Sequence, residues 1–238
     1  QEKGERVPQC LLHSKRLIFT DEDMAIARSN IERYPKAGQV KERIVKAADK
    51  WLSWADNDLR DLLADARVPR AFDLNAKGCP VHGSEVFKKE GHYPWFIDAA
   101  HPFKVKCPVG GETYPSNDYE SYYKSGFKEK KDWNTKYVDD GWGWVAPDGE
   151  RYWFVAYANH WLWHRDIHSA ILDLSRAYLL TGDKRYSHKA AVMLYRLAQV
   201  YPEMDYANQS RYGLMMKAEN SVYNGKVVNA IWATGFTQ

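Results

Sequence analysis

The chain has 238 residues, 27% of them charged and 45% hydrophobic, which is enough apolar material for a sizeable core and excludes a chain disordered by composition. Lys and Arg number 34 against 31 Asp and Glu, a net charge of +3. That is too mild for a dedicated nucleic-acid binder, yet it does not repel a polyanion. No apolar run reaches the roughly 18 residues of a membrane span, and no charged-then-apolar leader opens the chain, so any leader is expected to be gone already.

In chain order, a lead-in over 1–20 ends at Thr20, which reads as an N-cap followed by Asp21, Glu22 and Asp23 in the first turn. The helix it starts runs to about Arg33, where Tyr34-Pro35 stops it. A second, long helix is predicted over 38–66, because Val40, Ile44, Ala47, Ala48, Trp51, Ala55, Leu59, Leu62 and Leu63 recur at three and four residues. On this helix Trp51 and Trp54 read as core, and Asp56, Asp58, Asp61 and Asp65 as its solvated side. From about 69 to 157 the helical period fades among Gly, Pro, Asn and Asp, with one short helix expected near 116–124. An irregular stretch of that length points to function or to stabilisation by a ligand. Helices return over 164–181, closed by Gly182-Asp183, then over about 186–200, closed by Tyr201-Pro202, and over about 218–234. The fold class expected is mainly α, built from helical hairpins.

Ten Trp and sixteen Tyr stand against eight Phe, and five of the ten Trp fall between Trp142 and Trp163. Rings with polar edges stack and hydrogen-bond at once, as sugar and nucleic-acid sites require.

Four ordered landmarks carry a resemblance. They are His13-Ser14-Lys15-Arg16-Leu17-Ile18-Phe19-Thr20; the two Cys-Pro-x-x-Gly segments at Cys79 and Cys107, the second followed by Tyr114-Pro115-Ser116-Asn117-Asp118; Asp139-Asp140-Gly141-Trp142-Gly143 with Asp148-Gly149-Glu150-Arg151-Tyr152; and Ala177-Tyr178-Leu179-Leu180-Thr181-Gly182-Asp183-Lys184-Arg185-Tyr186 with Tyr201-Pro202. Together they resemble the N-terminal helical region of the heparinase II/III-like polysaccharide lyases. The resemblance implies a partial (α/α) toroid with an irregular insertion at 69–157. Residues 1–238 would be its N-terminal portion, with the remaining hairpins and β-sandwich domains beyond 238. It also implies a secreted or periplasmic enzyme that cleaves an acidic, uronic-acid-containing polysaccharide by β-elimination.

β-Elimination needs a group to neutralise the uronate carboxylate, a base for the weakly acidic C5 proton and an acid for the leaving oxygen. Suitable side chains are densest from Tyr157 to His168. Asn159 and His160 are the candidate catalytic pair, although in the family the neutraliser and the catalytic Tyr tend to fall on later hairpins, beyond Gln238. Trp142, Trp144, Tyr157, Trp161, Trp163, His164 and Arg165 are the candidate substrate contacts. On a regular helix His160, His164 and His168 would share one face. The other reading of these residues is packing, with rings in the core and imidazoles bonded to the backbone.

Relatives of this family often carry Cys-x-x-Cys twice where this chain has Cys79-x-x-His82 and Cys107-x-x-Gly110. Cys79, His82 and Cys107 could therefore hold a structural zinc, with His92 or His101 as the fourth ligand. A Cys79–Cys107 disulfide and a pair of free thiols are the alternatives. Asp139-Asp140 reads mainly as a turn, and as paired acids only if the chain were an (α/α) glycoside hydrolase. A non-catalytic glycan-binding or scaffold module is a further functional alternative. No nucleic-acid partner is expected.

Overall fold

Thr20 opens the first helix, α1 (Asp21–Arg33), through a reciprocal cap. Its hydroxyl accepts the Asp23 N–H at 3.1 Å, and the Asp23 carboxylate accepts the Thr20 N–H at 2.9 Å. The computed structural model describes residues 19–70 and 74–204. Most of the His13–Thr20 landmark and the helix expected over 218–234 lie outside them.

Tyr34 ends α1 and starts α2 (Pro35–Leu52) at once. Pro35, read from the sequence as a stop, is also a start: its fixed φ and missing N–H suit a first helical position. The long helix expected over 38–66 is two helices. The chain breaks at Ser53-Trp54-Ala55, where Ala55 is extended, and resumes as α3 (Asp56–Asp61). The break is stabilised from outside the segment, since Lys189 Nζ donates to Trp54 O at 2.6 Å and to Asp56 at 2.7 Å. The apolar period survived the break because Trp51, Leu59, Leu62 and Leu63 still enter one core.

The irregular segment holds two short helices, α4 (Val86–Glu90) and α5 (Tyr119–Lys124), and two antiparallel hairpins. One pairs β1 (Val105–Lys106) with β2 (Thr113–Tyr114), the other β3 (Trp144–Val145) with β4 (Arg151–Tyr152). Side chains replace the missing ladders. Asn117 exchanges two hydrogen bonds with the Asp139 backbone, at 3.0 and 2.9 Å. Asp139 is fully buried, and its carboxylate accepts the N–H groups of Gly141, Gly143 and Val155 at 2.7, 2.8 and 3.0 Å. Burial pushes that carboxyl up to about 6, with the three N–H donors acting in the opposite direction. The next acid, Asp140, accepts the Trp142 N–H at 2.9 Å. Both acids thus serve the turn.

The next helical stretch begins at Phe154, ahead of the sequence expectation. Residues 154–160 are buried all round, so no amphipathic period marks them. The rod runs without interruption as α6 (Phe154–Trp161), a π-helical segment (Leu162–Ile167) and α7 (His168–Thr181). Gly182, at φ 74°, takes the left-handed cap position, and Asp183 then caps α8 (Lys184–Val200) by accepting the Arg185 N–H at 2.9 Å.

The fold is mainly α. Helix α7 packs on α2 and α8, α1 on α2, and α3 on α8, around a core that includes Trp51, Leu63, Trp163, Ile167, Leu174 and Met193. Two smaller cores lie under the irregular segment. Among the described residues, no helix is long and apolar enough to cross a membrane.

Asp139→Asn tests the buried carboxylate. The amide keeps the volume but turns an NH2 group toward a backbone donor, so about 1–3 kcal/mol of stability should be lost in urea unfolding at neutral pH. An unchanged midpoint would show that the turn does not depend on this acceptor.

Candidate functional site: an aromatic face and a thiol–imidazole cluster

The aromatic and basic residues singled out by sequence divide between core and surface. Trp163 is 0% exposed and lies in the main helical core; Tyr157 is 1% exposed, in the core beneath the irregular segment. Asn159 is also buried. Its amide donates to Val68 O at 3.3 Å and Pro69 O at 3.1 Å, tying α6 to the stretch of chain that follows α3. His160 is 4% exposed, and burial followed by the nearby Arg70 charge holds its imidazole down to about 3, so it is neutral across the physiological range. The expected catalytic pair therefore does not face solvent here, and Trp163 and Tyr157 are packing residues in this structure.

The π-helical segment changes the histidine face. The His168 N–H bonds to Trp163 O, five residues back, so 164 and 168 no longer follow 160 at the regular α spacing. His164 and Arg165 are exposed, Trp161 is half-buried, and His168 is half-buried. Burial, then the charges of His168 and Arg165, holds His164 below the usual imidazole range.

A compact surface cluster results. The Trp161 ring lies 4.7 Å from that of Tyr93, 5.4 Å from His164 and 6.0 Å from Tyr157, which backs it. The Arg165 guanidinium sits 5.8 Å from the Trp161 ring. Tyr93 is 46% exposed, and His92 lies beside it at 6.2 Å. Sequence reasoning missed Tyr93; its only signal was an exposed aromatic in a loop, His92-Tyr93-Pro94. Trp142 is exposed, but it lies at the β3–β4 hairpin, where Arg151 donates to its carbonyl. Trp144 packs against Tyr137, Tyr152 and Phe154. A separate cleft of about 380 Å³ beside α3 is lined by Asp58, Asp61 and Glu120 with Lys124. Its three carboxylates make it a poor seat for an anionic sugar.

The second feature lies where the two Cys-Pro segments meet. In the first, Cys79 and Gly83 exchange backbone hydrogen bonds at 3.1 and 2.8 Å, and the Val81 N–H donates to Cys79 Sγ at 3.4 Å. Gly78, at φ 86°, admits this turn: a Cβ there would fall 2.2 Å from Gly83 O. In the second, the Cys107 N–H bonds to Glu112 O at 2.8 Å, the Gly111 N–H to Cys107 O at 3.0 Å, and the N–H groups of Gly110 and Val109 are directed at the Cys107 sulfur. The thiols are free and buried. His82 Nδ1 lies 3.6 Å from Cys79 Sγ, 3.5 Å from Cys107 Sγ and 3.5 Å from Glu112 Oε2. All four ligand atoms fall within 4.8 Å of one another. The fourth member is thus Glu112, in place of the His92 or His101 expected from sequence. The β1–β2 hairpin returns Glu112 to the cluster, and no Cys-x-x-His spacing reveals it.

Compared with protein-family models, with curated proteins and with solved structures, the chain finds no match.

A neutral buried imidazole has a consequence for acid stability. The His160 value in the folded state lies well below its ordinary 6.5. The unfolded chain therefore binds the extra proton, and stability should rise as pH climbs from about 4 through 6.5. Urea unfolding of wild type and His160→Gln across that range should show a shallower acid slope in the variant. Equal slopes would mean that His160 takes up its proton without unfolding.

Proposed function

We propose that this chain is the helical portion of a polysaccharide lyase acting on a uronic-acid polymer, and that Tyr93, Trp161, His164 and Arg165 hold the acidic sugar. The observation carrying this reading is the surface cluster on the π-helical segment. An indole and a phenol offer stacking faces, an imidazole and a guanidinium offer donors, and the guanidinium supplies the positive charge that a uronate carboxylate pairs with. π-Helical segments often mark functional positions because the inserted residue re-aims side chains. The resemblance of the ordered landmarks to heparinase II/III-like lyases, and a toroid closed by further hairpins, belong to the same reading.

A binding module without turnover is the second reading, favoured by one observation: Asn159 and His160 are spent on packing. Two measurements separate the readings. Affinity electrophoresis of this chain in alginate, heparin and chondroitin sulfate should show retardation in at least one gel. Trp161→Ala and Arg165→Ala should each weaken that binding about tenfold or more, or about 1.4 kcal/mol, while Trp163→Ala should instead cost about 3–5 kcal/mol of stability. The gene product containing the chain should release an unsaturated uronyl product, seen by ultraviolet absorbance. Retardation without absorbance on any polymer would favour the binding module; reducing-sugar release without absorbance would favour hydrolysis. No retardation in any gel would sink the glycan reading of the face.

A further inference from the structure

We propose that Cys79, His82, Cys107 and Glu112 bind one zinc ion as a closed four-ligand centre that fastens the two Cys-Pro turns together. This rests on the four side chains themselves and holds whether or not the aromatic face binds a glycan.

Geometry is the first argument. A tetrahedral zinc with bonds of about 2.0–2.3 Å has ligand–ligand edges of about 3.3–3.8 Å. The observed separations from His82 Nδ1 to its three neighbours, 3.5–3.6 Å, fall on those edges. Satisfaction is the second. Glu112 Oε2 is buried and makes no hydrogen bond, although it points at the cluster. That oxygen faces two sulfurs and an imidazole nitrogen 3.5 Å away, and a cation is what all four groups can share.

The ligand types select the metal. Two thiols and an imidazole are too soft a set for magnesium or calcium and suit zinc. All four positions come from protein, so no site is left for a reactive water, and the role is structural. The surroundings support the ligands as a metal's outer shell does. Val81 N–H donates to one sulfur, the Gly110 and Val109 N–H groups face the other, and the Tyr114 hydroxyl lies 3.5 Å from Cys79 Sγ.

Gly110 is the gate to this arrangement. A Cβ there would fall 2.2 Å from His82 Cε1 and 2.4 Å from either Glu112 carboxylate oxygen. The space that a ligand side chain at 110 would take in a four-thiolate site is occupied here by His82 and Glu112. The metal would also fix the chain between the turns, the stretch that brings Tyr93 to Trp161.

The test uses the whole chain as it is purified. Metal analysis by inductively coupled plasma mass spectrometry should find one zinc per chain. Chelation should raise hydrogen exchange over 79–112, and zinc, but not magnesium, should reverse this. Cobalt(II) added to the apo chain should show visible d–d bands of a tetrahedral site and a near-ultraviolet thiolate-to-cobalt band. Cys79→Ser and Cys107→Ser should weaken that ultraviolet band and release the metal. Glu112→Gln should weaken zinc retention at least about tenfold with both thiols in place, and Gly110→Ala should do the same. An apo chain that takes up no cobalt, a Cys79–Cys107 disulfide in the purified protein, stoichiometric iron in place of zinc, or full zinc retention in Glu112→Gln would each overturn the proposal.

Discussion

Among the described residues, three hydrophobic cores converge on one helical rod, Phe154–Thr181. Its first turns supply Phe154, Tyr157 and Ala158 to the core beneath the irregular segment and Val155 to a third cluster around Phe103 and Tyr119. Its middle and end supply Leu162, Trp163, Ile167, Ala170 and Leu174 to the core shared with α2, α3 and α8. A helix buried on every side at one end and on one stripe at the other has a polar surface only where its register allows. The π-helical segment sits at that transition and decides which residues emerge there. Within it Trp163 is buried, and His164 and Arg165 are exposed.

The irregular segment meets a different constraint. With only two-residue strands, most of its backbone groups lack ladder partners, and an unpaired buried N–H or C=O is costly. Specific side chains fill the deficit. Asp139 takes three N–H groups, Asn117 mimics a backbone pair, and Lys104 donates to Pro115 O and Asn117 O at 2.5 and 2.6 Å. Burial holds that lysine below its usual value, yet both carbonyls remain close to it. The thiol–imidazole cluster lies in the same segment, where His82 Nδ1 sits 3.5–3.6 Å from both sulfurs and from Glu112 and so brings side chains of the two Cys-Pro turns together.

Much of the helical frame was legible because its signals are local. Thr20 with Asp23, and Gly182 with Asp183, announce helix ends through hydrogen bonds that reach only two to four residues. Other features depend on groups distant in sequence. The break at Ser53–Ala55 rests on Lys189, more than 130 residues away, and the apolar period runs straight across it. Phe154–Ala158 carries no period because every face is covered. For the candidate site, Cys79, His82 and Cys107 were visible as a spacing, whereas Glu112 is placed by a hairpin return that spacing does not encode. Trp161, Trp163 and His164 are near neighbours in sequence with different fates, half-buried, buried and exposed, which no composition signal in that stretch distinguishes.

Because the wide-wound turn lies between two ordinary helical stretches, it uncouples their phases. Residues before Leu162 and after Ile167 keep their own packing commitments, to the irregular segment on one side and to α2 and α8 on the other. Lengthening or shortening the chain by a single residue inside this turn would rotate the α6 surface that carries Trp161 against the helical scaffold, and Leu162, Trp163 and Ile167, which lie both in the turn and in the main core, would have to repack. The rod is thus built like a shaft with a coupling, and the coupling sets the outward face of this protein and part of its interior together.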